Sequence, residues 1–311
     1  MEFSRSSRNQ ISGTTKMKIE QLMGCGTALI TPFNKNGEID YQAYKKLIKR
    51  QIASKIDFLI PLGTTGEAAC LSDSEKVTLL AATVAETKGK IPIFAGIGSN
   101  NTQSVIDNIA MLRHIGLDGF LIVTPYYNRP TQSGLYNHFK TIATATRKPI
   151  ILYNVPSRTG VNLAADTCLE LAKIKNIVAV KEASSNYSQI SEIIKKAPKH
   201  FVVLSGNDNE TLPLMATGAK GVISVVSNIA PKEMRDLTRI LLRNDFVAGR
   251  KLHHQLSDLF NHCFIETNPT PVKAGMYKMG LIENVLRPPL YAATEKTIST
   301  ITKTIQHLGL L

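Results

Sequence analysis

No apolar run in the 311-residue sequence approaches the roughly 18 residues needed to cross a bilayer, so nothing in it reads as a membrane anchor. The first sixteen residues, MEFSRSSRNQISGTTK, also lack the apolar core of a secretory signal. They are polar and rich in Ser and Arg, and Met17 opens a plausible second start. Residues 1–16 are expected to be a disordered upstream extension without function, with an organelle-targeting peptide as the lesser alternative. Cysteine is scarce. Cys25, Cys70, Cys168 and Cys263 are scattered without CxxC spacing, which argues against a zinc site or a disulfide framework and fits a reducing cytoplasm. The seven histidines form no metal-ligand pattern: His253 and His254 are adjacent, and His262 has no paired carboxylate motif around it. A metal-dependent aldolase is therefore disfavoured. No Gly-x-Ser-x-Gly elbow occurs, which removes the usual α/β-hydrolase signature. GIGSNN, the nearest approach to a dinucleotide fingerprint, lacks its third glycine, so nucleotide binding is unsupported.

Hydrophobic residues make up 43% of the chain and charged residues 20%, enough apolar surface for a large core. The net charge of +13 raises the question of nucleic acid. However, Lys and Arg are spread along helical stretches such as YKKLIKRQ, and no recognition motif accompanies them. Solvated helix faces are the expectation, and nucleic acid is not expected as a partner. A basic surface also suits small anionic substrates through electrostatic steering.

Eight short β-rich runs recur between Gly26 and Val226: GTALIT, FLIPLG, IPIFAG, GFLIVT, IILYNV, IVAVKE, FVVLSG and GVISVV. Each is continuous rather than alternating, as expected for strands covered on both faces. Helical patterns separate them. Asp40 can cap a helix carrying Tyr44, Leu47, Ile48 and Ile52 on one face. SDSE, from Ser72 to Glu75, has capping-box spacing. Asn101 precedes a helical run expected to stop at Gly116, and Pro231 sits in the first turn of a helix with Met234, Leu237 and Leu241 on one stripe. Eight such alternations predict a (β/α)₈ barrel over residues 17–244, with a doubly wound sheet as the alternative. Residues 245–311 read as a C-terminal helical segment broken at NPTP and RPP.

A barrel carries its chemistry at the C-terminal ends of its strands. Those positions hold GTTGE (63–67), TPYYNRP (124–130), YNVPSRTG (153–160), KEASS (181–185) and SGNDN (205–209). The glycines and threonines of GTTGE suit a carboxylate or phosphate at a helix entrance; the plainer reading is a tight turn with capping threonines. Lys181 ends a buried strand, where an ammonium is penalised. A lone lysine there usually snorkels to solvent. Alternatively it is a desolvated nucleophile that forms a Schiff base with a carbonyl, the imine then serving as an electron sink without a metal. Such chemistry needs a proton shuttle. Tyr153, at the end of the preceding strand, can reach that neighbourhood, although most tyrosines only pack.

At this combination the sequence resembles the dihydrodipicolinate synthase family, also called 4-hydroxy-tetrahydrodipicolinate synthase. GTALITPF, GTTGE, TPYYNRP, YNVPSRTG, VKEAS, GVISV and NPTPVK occur in order, and the likeness runs from about Gly24 to the C-terminus. The resemblance implies a barrel with a C-terminal helical segment and a cytoplasmic enzyme of diaminopimelate and lysine biosynthesis. That enzyme condenses pyruvate with L-aspartate 4-semialdehyde. It implies no metal and no cofactor beyond pyruvate held as an imine on Lys181. Tyr153, Thr64 and Tyr127 match the proton-relay residues, and Tyr127 is expected to enter from a neighbouring subunit. Thr64 and Thr65 match residues around the pyruvate carboxylate, Arg158 the receptor of the aldehyde substrate's carboxylate, and Gly206 and Ile223 residues lining the site. A homotetramer built as a dimer of dimers is the implied assembly.

Related lysine-dependent enzymes, N-acetylneuraminate lyase and 2-keto-3-deoxy sugar-acid aldolases, share the lysine and tyrosine; Arg158 within PSRTG favours the synthase. A catalytically silent barrel used for binding would be expected to lack Lys181 or Tyr153, and both are present. One departure from the family stands out. Lysine-inhibited relatives carry polar, histidine and glutamate side chains where this sequence has Ala68, Lys76 and Ser104, while Tyr126 and Asn100 remain. Weak or absent feedback inhibition by lysine is expected.

Overall fold

The structure, a computed structural model, describes residues 19–311. The expectation for residues 1–16 falls outside that range. Eight parallel strands form the core: β1 (Gly24–Ala28), β2 (Phe58–Ile60), β3 (Phe94–Gly96), β4 (Gly119–Val123), β5 (Ile150–Asn154), β6 (Ile177–Glu182), β7 (Val202–Ser205) and β8 (Gly221–Ser224). Seven fall inside one of the eight apolar runs, and β1 begins two residues before its run, at Gly24. The ladder runs β2-β1-β8-β7-β6-β5-β4-β3. β2 and β3 then meet through a parallel bridge at Leu59 and Ile93, with Leu59 N–H donating to Pro92 O (2.9 Å) and Gly96 N–H to Pro61 O (2.9 Å). The sheet therefore closes into a barrel, and the open doubly wound alternative is excluded.

Closure explains why the strands read as continuous apolar runs. Alternate residues point into the barrel or out to the helices. Phe58, Ile60, Phe94, Leu121, Ile151, Ala179, Val202, Leu204 and Ile223 belong to one buried cluster, the barrel interior. Leu59, Ile122, Leu152, Val180 and Val203 belong to another, beneath the helices. In β6 the phase is set by an irregularity. Ile150 pairs with Ile177 but Ile151 pairs with Ala179, so Val178 is an extra residue on that strand. Gly26 leaves room for this filling: a Cβ there would stand 2.0 Å from the Phe58 ring.

The helices begin where the caps predict. Asp40 accepts from Ala43 N–H at the start of Tyr41–Ala53, the full Ser72/Glu75 capping box opens Asp73–Thr87, and Asn101 caps Thr102–Met111. Pro231 opens Pro231–Leu242, with Met234, Leu237 and Leu241 buried. The third helix ends earlier than expected. It stops at Met111, and the chain turns through Ile115 N–H to Leu112 O (3.1 Å), which buries both Leu112 and Leu117. Gly116 caps nothing; a Cβ there would crowd Val84 at 3.3 Å.

Beyond the barrel lie helices Phe246–His262, Thr270–Lys278 and Glu295–His307. Their Leu256, Val272, Met276, Ile301 and Ile305 join the same buried cluster as the outward-facing strand residues. No helix among the described residues is long and apolar enough to cross a membrane.

Candidate active site

The strand ends open on a cavity of about 740 Å³. Lys181 and Tyr153 stand on its floor. They are register partners on β6 and β5, two residues beyond the interior-facing Ala179 and Ile151 respectively, so both side chains point inward. Lys181 is 5% exposed and Tyr153 8%. The lysine Nζ lies 4.3 Å from the centroid of the Tyr153 ring, within cation–π range. The neighbouring residues on each strand, Glu182 and Asn154, face the opposite way. Asn154 Nδ2 donates to Glu182 Oε1 (3.1 Å), and Ser184 N–H donates to the same oxygen (2.9 Å). Burial raises the Glu182 pKa despite these donors.

Across the barrel from Lys181, four strands away in the ladder, lies the turn after β2. Thr64–Gly66 forms one turn of 3-10 helix, followed by Glu67 in the left-handed region at φ +52°. Thr64 is exposed at the mouth, whereas Thr65 is buried and its Oγ1 accepts from Asn268 Nδ2 (2.9 Å). Arg158 enters from the short helix Pro156–Thr159, with Nη2 3.5 Å from Asn268 O. Gly206 lines the cavity next to Lys181, on the end of the neighbouring strand β7; a Cβ there would stand 2.6 Å from Ala183 Cβ, so only glycine fits without displacing the strand end.

Lys181, Tyr153, Thr64, Thr65, Arg158 and Gly206 thus share one cavity. Two expected residues do not join them. Ile223 is fully buried in the barrel interior, in the cluster that also holds Leu204 and Tyr153, and is not on the cavity wall. Tyr127 is 90% exposed, also off the cavity wall, with φ +73°. A bulky side chain in the left-handed region is uncommon and marks a backbone held by its surroundings.

Other residues contribute that no sequence role had been given. Asn268 is one, reaching the cavity from 203 residues beyond Thr65. Its motif, NPTPVK, was visible, but nothing in the sequence says what it touches. Asp208 is another. It is fully buried, and its Oδ2 accepts from Val225 N–H (3.0 Å) and Val226 N–H (3.1 Å). Desolvation raises its pKa, and the nearby positive charge of Lys181 opposes that shift. Glu67 and Lys273 form a third feature, an ion pair of 2.6 Å with both side chains fully buried. Among the described residues no group of three or more His, Cys, Asp or Glu stands close enough to hold a metal ion.

The Dihydrodipicolinate synthetase family model matches residues 21–308. A 4-hydroxy-tetrahydrodipicolinate synthase from Koribacter versatilis is 46% identical over 292 residues, covering 94% of this chain and 97% of that protein. Among solved structures, dihydrodipicolinate synthase from Aquifex aeolicus superposes with a TM-score of 0.90 at 43% identity, covering 93% of this chain and 98% of that one. A structure described as the first monomeric dihydrodipicolinate synthase variant gives 0.92 at 42% identity, covering 94% and 99%.

Proposed function

The chain belongs to the dihydrodipicolinate synthetase family, and from that premise we infer that it is an enzyme condensing pyruvate with L-aspartate 4-semialdehyde to 4-hydroxy-tetrahydrodipicolinate. That reaction opens the diaminopimelate route to lysine. The observation that carries the chemistry is the in-register pair of Lys181 and Tyr153 at the mouth of the barrel. The names of the relatives favour this reading over N-acetylneuraminate lyase or a 2-keto-3-deoxy sugar-acid aldolase.

In the proposed sequence, Lys181 Nζ attacks the C2 carbonyl of pyruvate and expels water, giving a protonated imine. The imine draws electrons from the adjacent methyl group, which loses a proton to become an enamine. Tyr153 is the group beside the nitrogen able to carry that proton. The enamine carbon attacks the aldehyde carbon, and the aldehyde oxygen takes up a proton and becomes a hydroxyl. The substrate's own amine then adds to the imine carbon and displaces Lys181, closing the ring. No cofactor enters at any step. The pyruvate carboxylate is assigned to Thr64, Thr65 and the backbone N–H groups of their turn. Arg158 at the cavity wall supplies a two-pronged donor for the second carboxylate.

Tyr127 needs a second subunit in this scheme, since in one chain its side chain is 90% exposed. We assign it to the proton relay of a neighbouring copy, within a homotetramer of paired dimers. The test of the whole reading is to incubate the protein with pyruvate and borohydride and map its peptides by mass. A pyruvate-derived adduct on Lys181 is expected, and its absence overturns the mechanism.

A further inference from the structure

The turn that carries Thr64 and Thr65 is tied to the C-terminal segment as well as to the barrel. Three consecutive residues, Thr65, Gly66 and Glu67, each connect to the stretch from Asn268 to Lys273. Asn268 Nδ2 donates to Thr65 Oγ1 (2.9 Å). Lys273 Nζ donates to Thr31 O (2.9 Å), and Thr31 Oγ1 in turn donates to Gly66 O (2.7 Å). Lys273 Nζ also donates to Glu67 Oε1 (2.6 Å), while the other carboxylate oxygen accepts from Arg287 N–H (3.0 Å). The Lys273 ammonium lies 4.3 Å from the Phe33 ring centroid, with the Arg287 guanidinium 4.6 Å from the same ring.

A buried ion pair is weak as a source of stability, because desolvation offsets most of its attraction, and an apolar pair of equal volume often serves as well. An apolar pair cannot, however, give fixed bond directions. Lys273 has two such bonds, one to Glu67 at the end of the turn and one to Thr31, whose hydroxyl holds Gly66 of the turn. Glu67 is also left-handed at φ +52°, a conformation that a side chain other than glycine keeps only where its surroundings impose it. We propose that the buried Glu67–Lys273 pair is a positioning device. It aims the Thr64–Gly66 turn at the pyruvate carboxylate, so that the C-terminal segment completes the barrel's substrate site. The proposal rests on the reading that this turn receives pyruvate.

The test uses the full-length enzyme with two variants, Lys273→Met and the double variant Glu67→Met/Lys273→Met. Three quantities are measured: the thermal midpoint, the KM for each substrate, and the pyruvate concentration that half-saturates borohydride trapping on Lys181. The last reports pyruvate binding independently of the second substrate. In the folded variants the half-saturating pyruvate concentration is expected to rise by about tenfold or more, in line with the cost of a small misplacement at a reacting site. The KM for aspartate semialdehyde stays within about twofold, because the Lys273 bonds end on Thr31 and Glu67 and not on Arg158, the residue assigned to its carboxylate. The double variant recovers the thermal midpoint lost by Lys273→Met but keeps the pyruvate defect. A folded double variant that traps pyruvate like the parent overturns the proposal, as does an equal loss of affinity for both substrates. If neither variant yields folded protein, the pair is structural and the proposal fails. If the parent itself traps no pyruvate on Lys181, the functional reading has failed first.

Discussion

Tyr153 and Lys181 are partners across β5 and β6, and the lysine ammonium stands 4.3 Å over the tyrosine ring. The ring is therefore packing surface as well as a source of a hydroxyl. Tyr153→Phe keeps the packing and removes only the proton carrier. Turnover is expected to fall by roughly 10²–10⁴-fold, the usual scale of general acid–base catalysis. The thermal midpoint should stay close to the parent's, and pyruvate trapping on Lys181 should persist, slower but complete. A variant with parental turnover would remove Tyr153 from the relay.

Arg158 lines the cavity, with one guanidinium nitrogen near Asn268 O. Losing a charge-assisted hydrogen bond costs about 2 kcal/mol, which corresponds to roughly a thirtyfold change in binding. Arg158→Ala is expected to raise the KM for aspartate semialdehyde on that scale and leave pyruvate trapping unchanged. Equal losses for both substrates would show that the arginine has no special relation to the second carboxylate.

Feedback by lysine should be weak or absent. Ala68 and Lys76 line the outer part of the cavity, and Lys76 is paired with Asp73 at 3.0 Å. By the resemblance, Ser104 takes the place of the glutamate that lysine-inhibited relatives carry. A lysine ammonium entering there would meet the Lys76 ammonium, whose partner carboxylate Asp73 is already engaged. Steady-state rates in millimolar lysine are expected to match those without it, and strong inhibition would contradict this account.

Stability should depend on pH through His138, on the helix Gln132–Thr144. Burial lowers its pKa from 6.5 to about 4, and Nδ1 is shared with Thr102 Oγ1 at 2.9 Å. Between those values the unfolded chain binds a proton that the folded one refuses. The contribution is therefore complete above about pH 6.5 and fades as pH falls toward 4. Its full size is of the order of 3 kcal/mol. Thermal midpoints at pH 7.5 and pH 5 should differ more for the parent than for His138→Gln. An equal drop in both proteins would exclude this histidine as the cause.

Much of this was legible in the sequence because barrel strands are buried on both faces. Their continuous apolar runs mark all eight strands, and the caps at Asp40, Ser72 and Asn101 mark where helices start. Lys181 and Tyr153 stood out as polar groups at the ends of such runs. What could not be read was anything set by contact across the chain. Glu67 and Lys273 are 206 residues apart, and no local pattern pairs them. The position of Ile223 below the cavity depends on which face of β8 it occupies, which a continuous apolar run does not disclose. The early end of the third helix is likewise a packing result, since turning at Leu112 lets Leu112 and Leu117 both reach the core.

The extra residue in β6 has a consequence for how the gene can change. Val178 is spare length beneath the lysine: the pairing of Ile150 with Ile177 and of Ile151 with Ala179 both survive if it is removed. A one-codon deletion in this stretch can be absorbed by straightening the strand, leaving Lys181 still opposite Tyr153. A one-codon insertion finds the slack already used and moves the lysine to the outward-facing place now held by Glu182, with Val180 left opposite Tyr153. The strand is thus lopsided in its tolerance, able to shorten by one but not to lengthen, and length variation in related genes should carry that bias.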